Sequence, residues 1–212
     1  MVLLKRFSTR LVSKVHLAGL VPLLYLGGVV WLDPFRIDPS HQIMSITGKT
    51  ALILLLLSLA CSPIRTLTGL RVGRREQREL GLYAAFYAGL HCATFIGLDY
   101  RFNLELLRSV LLDSGPVGVG MAAGLILLLL AITSTQGWQR RLGGNWKRLH
   151  RLVYLAGVLI MIHFYGIVKD GREPLRYAAI LALLLVLRLP PIRQAVRCLR
   201  RSRLTPSSNG LD

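Results

Sequence analysis

The 212-residue chain is poor in cysteine and in acidic residues. Its three cysteines, Cys61, Cys92 and Cys198, have no CxxC spacing, so the sequence predicts neither a disulfide framework nor a thiolate metal site. Only 10 acidic residues accompany 27 Lys and Arg residues. No GxGxxG fingerprint follows a strand-like segment, and we therefore expect no dinucleotide-binding site within the chain itself.

Long apolar blocks dominate what the sequence does contain, and hydrophobic residues make up 53% of it. A helix that crosses a bilayer needs about 20 mostly apolar residues. Six blocks approach that length, and they are too long and too uniformly apolar for barrel strands. We predict an all-α integral membrane protein, a six-helix transmembrane bundle over residues 1–204 followed by a disordered tail, 205–212. The predicted helices are at about residues 15–32, 48–63, 80–98, 116–135, 149–168 and 175–189.

The sixth block is the weakest of these predicted spans. Only about 15 residues separate Pro174 from Pro190, and the block contains Arg176 and Arg188. Because long basic side chains near helix ends can extend to the membrane surface, we expect the two arginines to reach opposite interfaces.

The distribution of basic residues predicts the orientation of the chain. The formal charge is +17, but Lys and Arg occur in short stretches between apolar blocks, so we expect no nucleic-acid partner. The two sets of alternate connecting segments carry 20 and 7 basic residues, and such residues concentrate on the cytoplasmic side. The sequence therefore predicts cytoplasmic N- and C-termini, which supports the sixth span. The basic loops also suit membrane lipids or an acidic docking partner.

Two histidines lie deep in predicted spans, where a polar group needs a partner. From the helical rise, His91 lies roughly 16 Å from the cytoplasmic end of the third span, and His163 roughly 21 Å from that of the fifth. Neutral imidazole is an axial ligand of haem iron, and helix bundles place such ligands on facing helices. We predict that His91 and His163 bind one haem; a hydrogen-bonded packing role is the alternative.

His150 would have to serve a second site, since it lies roughly 20 Å from His163 along the fifth span. His16, at the cytoplasmic start of the first span, is its candidate partner. On an ideal helix His150 and His163 are rotated by about 220°, so they share a face only if the helix is distorted. A lipid-facing or solvated role is the alternative for His150, and structural roles are the alternatives for His16 and His41.

The run TSTQGWQRRLGGNWKRLHRLVYL, at residues 133–155, closely resembles the most characteristic segment of the MsrQ family, also called YedZ. HLAGLVP at 16–22, TGKTAL at 47–52, the stretch ending at His91, and His163 agree with the same family. MsrQ proteins are haem-binding membrane subunits of the bacterial MsrPQ methionine sulfoxide reductase system and are similar to ferric-reductase-like transmembrane cytochromes. The resemblance covers nearly the whole chain.

The resemblance implies a redox subunit of the bacterial inner membrane, an electron conduit rather than the catalytic subunit. It implies one or two b-type haems associated with His91, His150 and His163, and also FMN, for which no motif is visible. Electrons would pass from a cytosolic flavin reductase or the quinol pool to a periplasmic, molybdopterin-containing reductase of the MsrP type, which repairs oxidised envelope proteins. On physical grounds alone, a small transporter or assembly scaffold with structural or proton-handling histidines is the alternative.

Overall fold

The computed structural model describes residues 15–17, 19–28, 38–69, 73–192 and 194. Within these ranges the chain is helical and contains no β-strand, as the sequence predicts. A π-helical turn, Phe95–Asp99, continues the third helix. The helices are α1 (Val15–Gly28), α2 (Pro39–Thr68), α3 (Arg74–Thr94), α4 (Leu104–Asp113), α5 (Gly115–Ile132), α6 (Gln136–Leu142), α7 (Gly144–Leu149), α8 (Leu152–Ile167) and α9 (Arg172–Val186).

Four helical segments of the described chain are long and apolar enough to cross a membrane: Pro39–Thr68, Arg74–Asp99, Gly115–Ile132 and Gly144–Ile167. They confirm the second to fifth predicted spans as membrane-length helices. Helices α1 and α9 occupy the first and sixth predicted spans but are shorter than the four membrane-length segments. The number of six transmembrane helices and the cytoplasmic position of both termini therefore stay predictions. Residues 1–14, residues 29–32 of the first predicted span, Cys198 and the predicted tail 205–212 lie outside the described residues.

The connection between the third and fourth spans contains a helix that the sequence pattern did not predict. After the π-helical turn, Arg101 and Phe102 adopt positive φ angles of 47° and 58°, which reverse the chain. The Asn103 side chain then accepts hydrogen bonds from the backbone N–H groups of Glu105 and Leu106. This side-chain cap starts α4, which lies outside the membrane-length segments and packs against α5.

The membrane-length helices and α9 form a closed ring. Helix α2 packs against α3 and α5 against α8, while α3 also contacts α5. Helix α9 contacts both α8 and α2, which completes the circuit. Helix α1 contacts α3, where the Tyr87 hydroxyl donates a 2.7 Å hydrogen bond to the Gly19 carbonyl. The ring leaves a central space, which contains the candidate site.

Helix α2 contains a proline, and a side chain of α9 compensates for it. Pro63 has no N–H, so the carbonyl of Leu59, four residues earlier, lacks its helical donor. The Arg188 guanidinium donates to that carbonyl at 2.5 Å through Nη2 and to the Tyr154 hydroxyl at 2.7 Å through Nη1. The Leu59 carbonyl and the Tyr154 hydroxyl thus bind the Arg188 head group, and its level relative to the membrane surface stays a prediction.

Candidate functional site

A cavity of about 560 Å³ occupies the centre of the ring. Helices α2, α3, α5 and α8 line it, together with the π-helical turn and the start of α9, mostly with apolar side chains. Its volume lies in the range of about 300–1,000 Å³ that is typical of cofactor and ligand sites. The imidazole and charged side chains of its lining are His41, Lys49, His91, His163, Lys169 and Glu173.

The structure brings His91 and His163 together across this cavity. Their ring centroids lie 6.2 Å apart, and the ring planes meet at 84°. Two imidazoles that bind one metal through bonds of about 2 Å have ring centres about 6 Å apart, since each ring centre lies about 1 Å behind its nitrogen. The observed separation of the ring centroids matches that of two imidazoles that bind one ion from opposite sides.

A backbone carbonyl orients each of the two imidazoles. Nδ1 of His91 lies 2.9 Å from the carbonyl oxygen of Met44 in α2. Nδ1 of His163 lies 2.8 Å from the carbonyl oxygen of Pro116 in α5. A carbonyl can only accept, so both Nδ1 atoms must carry the proton, which leaves the lone pair on Nε2. This is the outer-shell arrangement that holds metal-binding histidines in one tautomer and one orientation.

Two glycines make room for the imidazole rings. A Cβ atom at Gly48 of α2 would lie 3.0 Å from Nδ1 of His91, and one at Gly120 of α5 would overlap the His163 ring. In the small-xxx-small pair of α5, Gly120 therefore makes room for the His163 ring. A Cβ at Gly124, the other member of the pair, would lie 3.4 Å from the Cys92 sulfur on α3.

The donor set fits haem better than a bare metal ion. Within the described residues, no group of three or more His, Cys, Asp or Glu side chains could hold a metal ion. A structural or catalytic zinc takes three or four protein ligands, whereas haem supplies four nitrogens of its own and needs only axial ligands. Two facing imidazoles at an apolar cavity of this size therefore match the needs of a haem.

His150 and His16 make other contacts. Nε2 of His150 lies 3.3 Å from the Ser134 hydroxyl, and its Nδ1 lies 3.1 Å from the Trp146 carbonyl. The Trp146 and His150 rings also stack, with centroids 4.0 Å apart. Nδ1 of His16 lies 2.9 Å from the Tyr83 hydroxyl on α3. The described contacts thus tie each of these two histidines to its own neighbours, and their pairing at a second haem stays a prediction.

The helix that carries His150 and His163 is interrupted, a feature for which the sequence offered no sign. Helix α7 ends at Leu149 and α8 begins at Leu152. Across the junction, Arg151 and Tyr154 donate to carbonyls three residues earlier, Arg148 and Arg151, at 3.1 and 3.0 Å. These tighter turns change the angle between the two histidines from that of an ideal helix.

Sequence reasoning missed the polar residues at one end of the cavity. Lys49 forms an ion pair with Glu173 of α9, with Nζ–Oε distances of 2.8 and 3.0 Å. Lys169 lines the same end, and so does His41, for which we expected only a structural role. A signal did exist: Lys49 lies inside the apolar block 48–63, where an ionisable residue indicates a functional site. We counted it as a topology charge instead.

Comparisons with known proteins agree with this architecture. Residues 47–161 match the family described as Ferric reductase like transmembrane component; the match includes His91 and His150 and ends shortly before His163. The protein-methionine-sulfoxide reductase heme-binding subunit MsrQ of Xanthomonas axonopodis pv. citri (strain 306) is 48% identical over 178 residues, which cover 81% of this chain and 82% of that protein. MsrQ of Rhodospirillum rubrum is 44% identical over 195 residues, covering 91% and 92%. No solved structure matches the chain.

A ring of apolar helices around a facing histidine pair, with a family match over more than half of the chain, is a ferric-reductase-like transmembrane component. Within that class the chain belongs to the MsrQ family, which confirms the resemblance carried by residues 133–155. It is a multi-pass protein of the bacterial inner membrane, as predicted.

Proposed function

We propose that this chain is the haem-binding electron-transfer subunit of a methionine sulfoxide reductase system, with a b-type haem held by His91 and His163. The observation that carries the proposal is the pair of imidazoles 6.2 Å apart at an apolar cavity, each fixed through Nδ1 by a backbone carbonyl. The printed names of relatives that are 44–48% identical, heme-binding subunits of protein-methionine-sulfoxide reductase, support it.

The haem iron, when bound, accepts and releases one electron at a time. The residues of the chain do the rest. His91 and His163 hold the iron from two helices, and the carbonyls of Met44 and Pro116 keep both rings in the tautomer that presents Nε2. The apolar walls exclude water, which limits solvent reorganisation when the charge of the site changes.

Family membership and the predicted orientation support a proposal for the direction and the partners of electron transfer. We propose that electrons enter on the cytoplasmic side, from a flavin reductase or the quinol pool, and leave to a periplasmic molybdopterin reductase of the MsrP type that reduces oxidised envelope proteins. The chain is then the conduit of a redox complex. A second haem at His150, with His16 as its candidate partner, and a bound FMN belong to this proposal as predictions.

Substitution of the histidines tests the proposed site. We expect purified protein to show a reduced-minus-oxidised spectrum with a sharp α-band. His91→Ala and His163→Ala should each abolish the same spectral component, because each removes one of its two ligands. The matched control is His150→Ala, which lies outside the cavity lining. It should leave that component unchanged and remove only a second component, if one is present.

Two results would contradict the proposal. Folded, purified protein without any haem spectrum would favour the alternative of a transporter or scaffold with structural histidines. Loss of different spectral components in the His91 and His163 variants would show that they do not share one haem. Folding of each variant is checked by its thermal unfolding in detergent.

A further inference from the structure

We propose that Lys49 and Lys169 bind the two carboxylates of the haem at the charged end of the cavity, where Lys49 also forms an ion pair with Glu173. This inference rests on the proposed haem function and extends it to residues for which nothing else assigns a role. It starts from the uneven distribution of charge around an otherwise apolar cavity.

The charged lining residues all lie at one end of the ring. Lys49 is in the N-terminal half of α2, Lys169 follows the C-terminus of α8, and Glu173 is in the first turn of α9. The ion pair between Lys49 and Glu173 joins two of these places directly. In the predicted orientation this is the periplasmic end.

Haem has the complementary pattern, since one edge of the macrocycle carries two carboxylates and the remainder is apolar. Carboxylates near a membrane interior need cations, because an unpaired charge at low dielectric is costly. Lys49 and Lys169 are the two Lys or Arg residues of the cavity lining within the described chain. Their number equals that of the haem carboxylates.

Lys49 is also at the right level along the bundle. It follows Gly48, whose α-carbon approaches the His91 ring so closely that a Cβ there would lie 3.0 Å from Nδ1. The proposed axial ligand and the proposed carboxylate partner therefore lie on adjoining walls of the cavity.

The ion pair explains how a lysine is kept at an apolar cavity. The side chain of Lys49 is 41% exposed and that of Glu173 31%, so each is only partly solvated. Glu173 balances the charge of the Lys49 ammonium group, which has three N–H donors, enough for Glu173 and a haem carboxylate together. Lys169 forms no ion pair with any described residue and is free to bind the second carboxylate.

The test compares haem with its dimethyl ester, in which both carboxylates are neutral. Wild-type protein, Lys49→Met, Lys169→Met and the double variant are each loaded with either group. The rate of haem loss to an excess of a haem-scavenging protein is then measured. Charge-assisted hydrogen bonds are strong, so we expect wild-type protein to release haem about tenfold more slowly than the ester. In the double variant the two rates should be equal.

Two further variants separate carboxylate binding from a purely structural ion pair. Glu173→Gln breaks the ion pair but retains both lysines, and should retain haem far better than the double variant. Its midpoint potential should rise, because an anion near the iron is removed, whereas that of Lys49→Met should fall. Lys147→Met, on α7 and outside the cavity lining, is the matched lysine control and should behave as wild type.

Three outcomes would overturn the inference. They are equal loss rates for haem and ester in wild-type protein, unchanged preference for haem in the double variant, and haem loss from Glu173→Gln as fast as from Lys49→Met. All of them require that wild-type protein binds haem. Failure of this inference is therefore distinct from failure of the proposed function, in which wild-type protein has no haem spectrum.

Discussion

His163 occupies space that any side chain at position 120 would fill. Its imidazole is half-buried between α8 and α5 and bonded to the Pro116 carbonyl, one turn before Gly120. The glycine therefore sets how close the ring lies to α5, and the carbonyl sets which nitrogen points away from it. At the scale of single residues, ligand geometry depends as much on a missing Cβ as on the histidine itself.

Gly120→Ala should weaken haem binding without preventing membrane insertion. Overpacking costs about 1–3 kcal/mol, which here displaces the His163 ring, so we expect haem affinity to fall by about tenfold or more. Haem content per protein, measured from the reduced α-band, is the readout.

Gly89→Ala is the matched control for this substitution. A Cβ at Gly89, on α3, meets no atom within 4 Å beyond the adjacent residues and the backbone of its own helix, so the variant should retain the haem content of the wild type. Full haem content in Gly120→Ala would show that haem binding does not depend on the close approach of the His163 ring to α5.

At the scale of whole helices, α9 is attached to its neighbours at both ends. Glu173 pairs with Lys49 of α2 near its start, and Arg188, just after its last turn, donates to Leu59 of α2 and Tyr154 of α8. Helix α9 has only 15 residues, so these polar contacts supplement a limited apolar interface. They complete the ring that encloses the cavity.

Arg188→Leu should destabilise the protein, and Pro63→Ala should reduce that effect. Removing the arginine leaves the Leu59 carbonyl unpaired and should lower the free energy of unfolding by about 1.5–3 kcal/mol. Alanine at position 63 supplies the missing backbone N–H, so the same substitution should cost less in that background. Thermal unfolding of the four proteins in detergent gives the coupling between the two positions.

Arg176→Leu is the control for the loss of an arginine from α9. The Arg176 side chain is exposed and its Nε contacts only the Arg172 carbonyl of its own helix, at 3.4 Å. Its effect should stay within about 0.5 kcal/mol. Equal losses from Arg188→Leu with and without Pro63 would show that the proline does not create the need for the arginine.

At the scale of the molecule, the ring of α2, α3, α5, α8 and α9 determines what the cavity can bind. Each wall comes from a different helix, and the two imidazoles approach from α3 and α8. Because these helices are in contact around the whole ring, the charged end of the cavity and the histidine pair keep a fixed relation.

The predicted orientation can be tested on the whole chain. We expect a reporter fused to the C-terminus to be active only if it functions in the cytoplasm, because six spans and the basic segments place both termini there. A fluorescent protein that folds only in the cytoplasm and a phosphatase active only in the periplasm are fused in parallel. A second pair, inserted after Asp170 between α8 and α9, should give the opposite result.

An active periplasmic phosphatase at the C-terminus would contradict the sixth span. If the insertion after Asp170 still reported the periplasm, the result would show that α9 lies at the surface rather than across the membrane. The same reporters at the N-terminus test the first span, of which residues 29–32 lie outside the described structure.

The sequence by itself determined the membrane class and the approximate bounds of the four membrane-length helices, and it predicted the depth of the two histidines. Each of these follows from one-dimensional quantities: the length of an apolar block against the thickness of a bilayer, and a constant rise per residue. The family was also readable, since residues 133–155 and the histidine positions are local strings.

Only the tertiary structure decided which atoms face the cavity. His91 and Met44 are 47 residues apart, as are His163 and Pro116, while Lys49 and Glu173 are 124 apart. Such contacts depend on how each helix is rotated about its axis, which the packing of neighbouring helices sets. For the same reason the sequence pattern predicted that Lys49 and Arg188 are charges of the connecting segments. In the folded chain Lys49 lines the cavity, and Arg188 donates to the Leu59 carbonyl that Pro63 leaves without a helical donor.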